Sequence, residues 1–311
     1  EQLRDSVMSD FSPCTPQELT EYLQSFSLEQ NTLPPENISF ETTELETWSL
    51  QRYFDNSLVQ ERTVFETPFS SPYSQANRGI FYRYQRTDSE AKGTVIFLPG
   101  LGVSDFAFRF IRRLFVTILE SGWDLVVYTP PFHLERACEA DNCQYNLFTS
   151  DIIVNMEYYA AMVAEIRMII TILIDDDVRR FAGWGGSIGA AVLLGANQFE
   201  EFDHLSVMIP IVNWNTVLLN NICMEGCRNA LLEAGFSSDL ITDAYNRISP
   251  TEFDLATPRD RILVQAGRHD QLTPLERVQD FTANQDIENF SVYNQSHATI
   301  LLDNQIGRAH V

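Results

Sequence analysis

Ser187 is the residue around which chemistry can be built. It stands in Gly185-Gly186-Ser187-Ile188-Gly189, between an apolar run, Arg180 to Gly183, and a small-residue stretch, Ala190 to Gln198. A strand entering a G-x-S-x-G turn and a helix leaving it hold the serine strained and exposed, so the positions two before and two after must lack bulk. A serine hydroxyl is a weak nucleophile near neutral pH. It needs a base to take its proton, and the base needs an acid to fix its tautomer and stabilise its charged form. Without such partners the segment is a glycine-rich strand–helix turn with an incidental serine. A phosphate-cradling loop fits less well, because the segment matches neither G-x-G-x-x-G nor G-x-x-x-x-G-K-[ST].

The partners are to be sought just past strand ends, where the reactive groups of open α/β sheets gather. After the apolar run Arg261 to Ala266 comes Gly267-Arg268-His269-Asp270-Gln271-Leu272-Thr273-Pro274, with Asp270 in the loop. After Phe290 to Tyr293 comes Asn294-Gln295-Ser296-His297-Ala298, with His297 in the loop. Asp270 and His297 are therefore the candidate acid and base. His269 adjoins Asp270, but neighbouring side chains point apart. His133 lies in Pro130-Pro131-Phe132-His133-Leu134-Glu135-Arg136, past the strand Asp124 to Tyr128 on the same rim. His133 and Arg136 are candidates for shaping a substrate pocket, or alternatively for holding that loop. His204, Asp254 and Asp260 precede strands and sit at the wrong end.

The elements that must position these residues alternate along the chain. Gly93 to Pro99 is a continuous apolar run, as expected of a strand buried on both faces of a parallel sheet. There follow a helix over Phe106 to Ser121, a strand Asp124 to Tyr128, a helix Asp151 to Ile174, a strand Arg180 to Gly183 and a helix Ser187 to Glu200. A strand His204 to Ile211, a helical stretch Trp214 to Phe253, a strand Arg261 to Ala266, a helix from Pro274 to Thr282 and a strand Phe290 to Tyr293 complete the series. Such alternation means βαβ units, a mostly parallel sheet and helices on both faces. Upstream, Ile38 to Phe54, Arg62 to Thr67 and Gly79 to Gln85 alternate like strands and fit an antiparallel entry to the sheet. Residues 1–37 read as an N-terminal extension, with a helix from Pro16 capped by Thr15. No linker cuts residues 38–305, which are expected to form one domain. Within it, about 214–253 is a lid-like insertion; packing on a sheet edge is the plainer reading.

Composition narrows the classes. The chain has 311 residues, 43 acidic against 21 basic, and a formal net charge of -22. Nucleic acid and anionic membrane surfaces would be repelled. No apolar run reaches a membrane-spanning length; Ala160 to Ile174 is interrupted by Glu165 and Arg167. Of five cysteines, Cys138/Cys143 and Cys223/Cys227 are close pairs. If they are disulfides, a soluble secreted or periplasmic protein is expected; if reduced, a cytoplasmic one. Their spacing does not suit a metal, and no metal or organic cofactor is indicated. The final residues, Ile306 to Val311, match a translated sequencing adapter, so the natural sequence is expected to stop near Gln305 and His310 is set aside.

Taken together, the elbow, the Gly267-x-x-Asp270-x-x-x-Pro274 loop and Ser296-His297-Ala298 resemble the α/β-hydrolase superfamily, in the order Ser, Asp, His and over about Gly93 to Asp303. The resemblance implies Ser187 as nucleophile, His297 as general base and acid, and Asp270 as the orienting carboxylate. It also implies an oxyanion hole of backbone N–H groups: that of Ile188, and that of Leu101 in Pro99-Gly100-Leu101-Gly102. The family commonly has His-Gly where this chain has Pro99-Gly100, a change that leaves a backbone donor intact. Gly100, Gly102 and Trp214 join His133 and Arg136 as pocket candidates. The implied reaction is hydrolysis of small carboxylic esters through an acyl-enzyme. Peptide or thioester hydrolysis, acyl transfer, or a non-catalytic binding protein on the same fold are the alternatives. In the family a helix follows the histidine, and Ala298 to Gln305 leave little chain for one.

Overall fold

A computed structural model describes residues 13–45, 50, 53–54, 57–102, 105–139, 146–221 and 224–300; within 105–110 only the backbone is described. One nine-stranded sheet runs through the molecule: β1 (Phe40–Glu44), β2 (Leu58–Phe65), β3 (Gly79–Arg86), β4 (Thr94–Leu98), β5 (Asp124–Thr129), β6 (Phe181–Gly186), β7 (His204–Met208), β8 (Ile262–Gly267) and β9 (Phe290–Tyr293). Their order across the sheet is β1-β2-β3-β5-β4-β6-β7-β8-β9. β1, β2, β3 and β5 pair antiparallel; from β5 to β9 every pairing is parallel. The expected architecture is therefore present, with its antiparallel entry.

Helices cover both faces. Before the sheet come α1 (Pro16–Ser25) and α2 (Leu28–Asn31); between strands lie α3 (Asp105–Glu120), α4 (Ile152–Asp175), α5 (Ile188–Ala196) and α9 (Leu275–Asn284). The stretch expected as one helical insertion is three helices between β7 and β8: α6 (Trp214–Asn220), α7 (Glu225–Glu233) and α8 (Ser238–Asn246). α4 is apolar nearly all round, the pattern of a helix with no solvent face, and Ile166 and Ile169 are fully buried. Among the described residues no helix is long and apolar enough to cross a membrane.

Several boundaries differ from expectation. The strand expected over Ile38 to Phe54 ends at Glu44, and its five residues are all exposed, as on a sheet edge paired on one side only. β6 runs three residues further than expected, because Trp184, Gly185 and Gly186 continue the ladder with β4 and β7. Pro274 is the N-cap of α9 rather than its first residue. The helix α1 of the N-terminal segment packs into the core: Leu19 is fully buried, and Arg247 donates to the Leu23 carbonyl at 2.7 Å. As expected, α1 starts with a capping box between Thr15 and Glu18. The last stretch, 301–311, including the expected foreign tail, lies outside the described residues.

Candidate active site

The turn after β6 is built on close approaches. Ser187 has φ 55° and ψ -119°, a left-handed conformation rare outside glycine. The strain is held by its neighbours: the Ser187 N–H donates to the Met208 carbonyl at 2.9 Å, and its own carbonyl accepts from Ala191 at 3.1 Å. A Cβ on Gly189 would sit 2.4 Å from the Leu98 oxygen and 2.5 Å from the Pro99 oxygen. A Cβ on Gly185 would sit 3.0 Å from the Gly189 carbonyl. The small residues two before and two after the serine are thus required by contact with backbone.

Asp270 follows β8. Its Oδ1 accepts from the N–H groups of Leu272 and Thr273, both at 2.9 Å, and its Oδ2 accepts from Thr273 Oγ1 at 2.7 Å. The Asp270 side chain is fully buried, so these donors replace the water that burial removes. His297 Nδ1 lies 2.7 Å from Asp270 Oδ2, and its Nε2 lies 2.9 Å from Ser187 Oγ. A carboxylate only accepts, so Nδ1 carries the proton and the lone pair of Nε2 faces the hydroxyl. His297 is held by a turn in which Ile300 donates to the Ser296 carbonyl at 3.1 Å. Ile300 is fully buried with Met208 and Ile209, at the end of the strand to which Ser187 is bonded. Sequence reasoning passed over Ile300 and Thr273; a lone isoleucine near a chain end gave no signal, whereas a threonine three residues after an aspartate is a local pairing that could have been sought.

The loop after β4 comes up beside the serine. A Cβ on Gly100 would lie 3.3 Å from Ser187 Cβ, a tight contact that glycine avoids. Neither the Leu101 N–H nor the Ile188 N–H has a protein acceptor among the described residues. Gly102 has φ 77° and donates to His133 Nε2 at 2.9 Å.

His133 and Arg136 lie buried in the loop after β5. His133 is 2% exposed and Arg136 fully buried. Arg136 grips Glu165 through two bonds, of 2.8 and 2.9 Å, and gives its remaining donors to the Thr129 and Ala76 carbonyls. The guanidinium is drawn inward by these acceptors. His269 bonds Asn294 Oδ1 at 2.9 Å and takes no part in the Ser187 contact. Trp214 does line a pocket, with Ile188, Tyr159, Met162, Val217 and Leu218, between α4, α5 and α6. Cys138 is disulfide-bonded, while Cys143, its expected partner, lies outside the described residues. Cys223, the expected partner of Cys227, also lies outside the described residues; burial pushes the Cys227 thiol up to about 11. Among the described residues no cluster of metal-ligating side chains occurs.

No protein-family model and no curated protein matches the chain. Solved structures do. Acetyl xylan esterase 1 from Thermoanaerobacterium sp. JW/SL YS485 matches with a TM-score of 0.56 and 14% identity over 95% of this chain and 92% of its own. Acylaminoacyl peptidase of Pyrococcus horikoshii matches with a TM-score of 0.54 and 13% identity over 81% of this chain and 40% of its own. A puromycin-hydrolyzing peptidase of Mycobacterium tuberculosis matches with a TM-score of 0.53 and 16% identity over 72% of this chain and 35% of its own. The chain thus spans 40% and 35% of the length of these two peptidases. Identities this low speak to fold.

Proposed function

We propose that this chain, which has the α/β-hydrolase fold, is a serine hydrolase working by acyl transfer, with Ser187 as nucleophile, His297 as general base and acid, and Asp270 as its orienting carboxylate. The observation that carries the reading is the pair of contacts at His297, 2.7 Å to Asp270 and 2.9 Å to Ser187. In this reading Nε2 takes the Ser187 proton as Oγ bonds to the substrate carbonyl carbon. The Leu101 and Ile188 N–H groups receive the oxyanion. The tetrahedral intermediate collapses as His297 returns the proton to the leaving group, and water then releases the acyl group by the same steps.

Small carboxylic esters are the proposed substrates. The pocket beside Ile188 is apolar, which suits an uncharged acyl or alcohol group and not a charged one. Residues 214–253 act in this reading as a lid over that pocket, within a hydrolase domain of about 38–305. The named neighbours include both an esterase and peptidases, so amide cleavage is the competing outcome. Initial rates on matched p-nitrophenyl esters and p-nitroanilides of one acyl series test it. Ester turnover that disappears in S187A is the expected result; turnover of anilides alone would overturn the ester assignment, and turnover unchanged in S187A would overturn the nucleophile.

A further inference from the structure

Two non-glycine residues in left-handed backbone flank one buried histidine: Phe132 at φ 63° and Leu134 at φ 50°. Such conformations persist only where the surroundings over-determine them. Here they do so from two sides. The Phe132 ring is 1% exposed and packs against Phe69, Tyr73 and Tyr158. Four residues on, Arg136 is tied to Glu165 and to the Thr129 and Ala76 carbonyls. The strained loop thus presents His133 in a single pose.

That pose has a direction. His133 Nδ1 lies 2.8 Å from the Pro131 carbonyl, which only accepts, so Nδ1 holds the proton. Nε2 is left with a lone pair and takes the Gly102 N–H at 2.9 Å. Gly102 follows Leu101, and Gly100 is pressed against Ser187. We infer that His133 is a positioning residue for the oxyanion loop: by accepting from Gly102 it fixes the peptide next to the one that offers its Leu101 N–H to the substrate carbonyl oxygen. The inference rests on the serine-hydrolase reading. Burial pushes the imidazole down to about 4, and the Arg136 charge acts in the same direction, so the ring remains a neutral acceptor at ordinary pH. A protonated ring would place N–H against N–H and break the clamp.

The test uses the full chain and two variants, H133F, which fills the space without an acceptor, and H133Q, whose amide oxygen can replace Nε2. Thermal melts establish folding. Steady-state rates are then read on an oxygen ester and on its thionoester, whose sulfur fits an oxyanion hole poorly. Loss of a whole oxyanion donor costs about 10²–10³ in kcat, so a loosened one is expected to cost roughly 10–100-fold in H133F, with KM changed by no more than about 2-fold. The oxygen-ester preference should shrink in H133F and largely return in H133Q. Folded H133F with undiminished kcat, or with equal losses on both esters, overturns the positioning role. Should H133F fail to fold, hydrogen exchange of the wild-type Gly102 amide decides: slow exchange supports the clamp, and exchange at the rate of an open loop overturns it. Wild-type protein inert towards every ester and every anilide overturns instead the serine-hydrolase reading, a result obtained before any His133 variant is made.

Discussion

At the scale of single residues, the site depends on where protons sit. Asp270 accepts three hydrogen bonds besides that from His297. An amide at this position can turn its NH₂ towards Nδ1 and leave the wrong ring nitrogen protonated. D270N is therefore expected to keep its fold and lose roughly 10³–10⁴ in kcat, as read by steady-state ester hydrolysis. His133 also affects stability. Its folded-state pKa, about 4, lies below the unfolded value of 6.5 because burial disfavours the imidazolium. The unfolded chain binds the extra proton first as pH falls, so this contribution is complete above pH 6.5 and is lost on descending to about 4; at 1.36 kcal/mol per pKa unit it is worth about 3 kcal/mol. Denaturation midpoints measured across that window should fall less steeply in H133Q than in the wild type. Parallel slopes would contradict this. Ser187, Asp270 and His297 were legible in the sequence because each stands directly past an apolar run. The clamp was not legible, because His133 and Gly102 are 31 residues apart and meet only through the parallel pairing of β4 with β5.

At the scale of elements, the turn between β6 and α5 shows which glycines the elbow needs. Gly189 and Gly186 stand two residues after and one before the serine. A Cβ on Gly189 would meet backbone oxygens at 2.4 and 2.5 Å, whereas one on Gly186 would find its nearest neighbour, Met208 Cε, at 3.8 Å. G189A is expected to lose about 1–3 kcal/mol by chemical denaturation and most activity, since α5 must move away from β4; G186A should lose much less of both. Equal effects would place the constraint elsewhere than in this contact. The alternation of apolar runs made the parallel strands readable, but not their order across the sheet, in which β5 and β4 exchange places. Strand ends were less so: Trp184 to Gly186 contain the glycines of a turn, yet β7 keeps all three in the ladder and β4 keeps the first two. Periodicity is local, and edge pairing such as that of β1 is not.

At the scale of the whole molecule, a buried network ties distant parts of the chain together. Glu165 of α4 meets Arg136 past β5, Tyr128 within β5 and Thr67 past β2, and Arg136 reaches back to Ala76. The sequence marked Glu165 only as an interruption of an apolar helix; which cation met it could not be read, because the two residues stand 29 apart in the chain. Both side chains are fully buried, so removing one leaves a charge without its partner. R136M is expected to cost about 3–5 kcal/mol, and R136M/E165L appreciably less than R136M alone, by urea denaturation. A double variant no better than the single one would argue that the ion pair itself is not what the core requires.

The proposal that Ser187 is activated is tested most directly by a fluorophosphonate probe and peptide mass mapping of the purified chain. A hydroxyl bonded to a correctly oriented imidazole should be phosphonylated at Ser187, with no adduct in S187A and labelling slowed by roughly 10³-fold or more in H297A. Folded wild-type protein that takes no label, or takes it at another residue, would contradict the reading of Ser187, His297 and Asp270 as a catalytic triad.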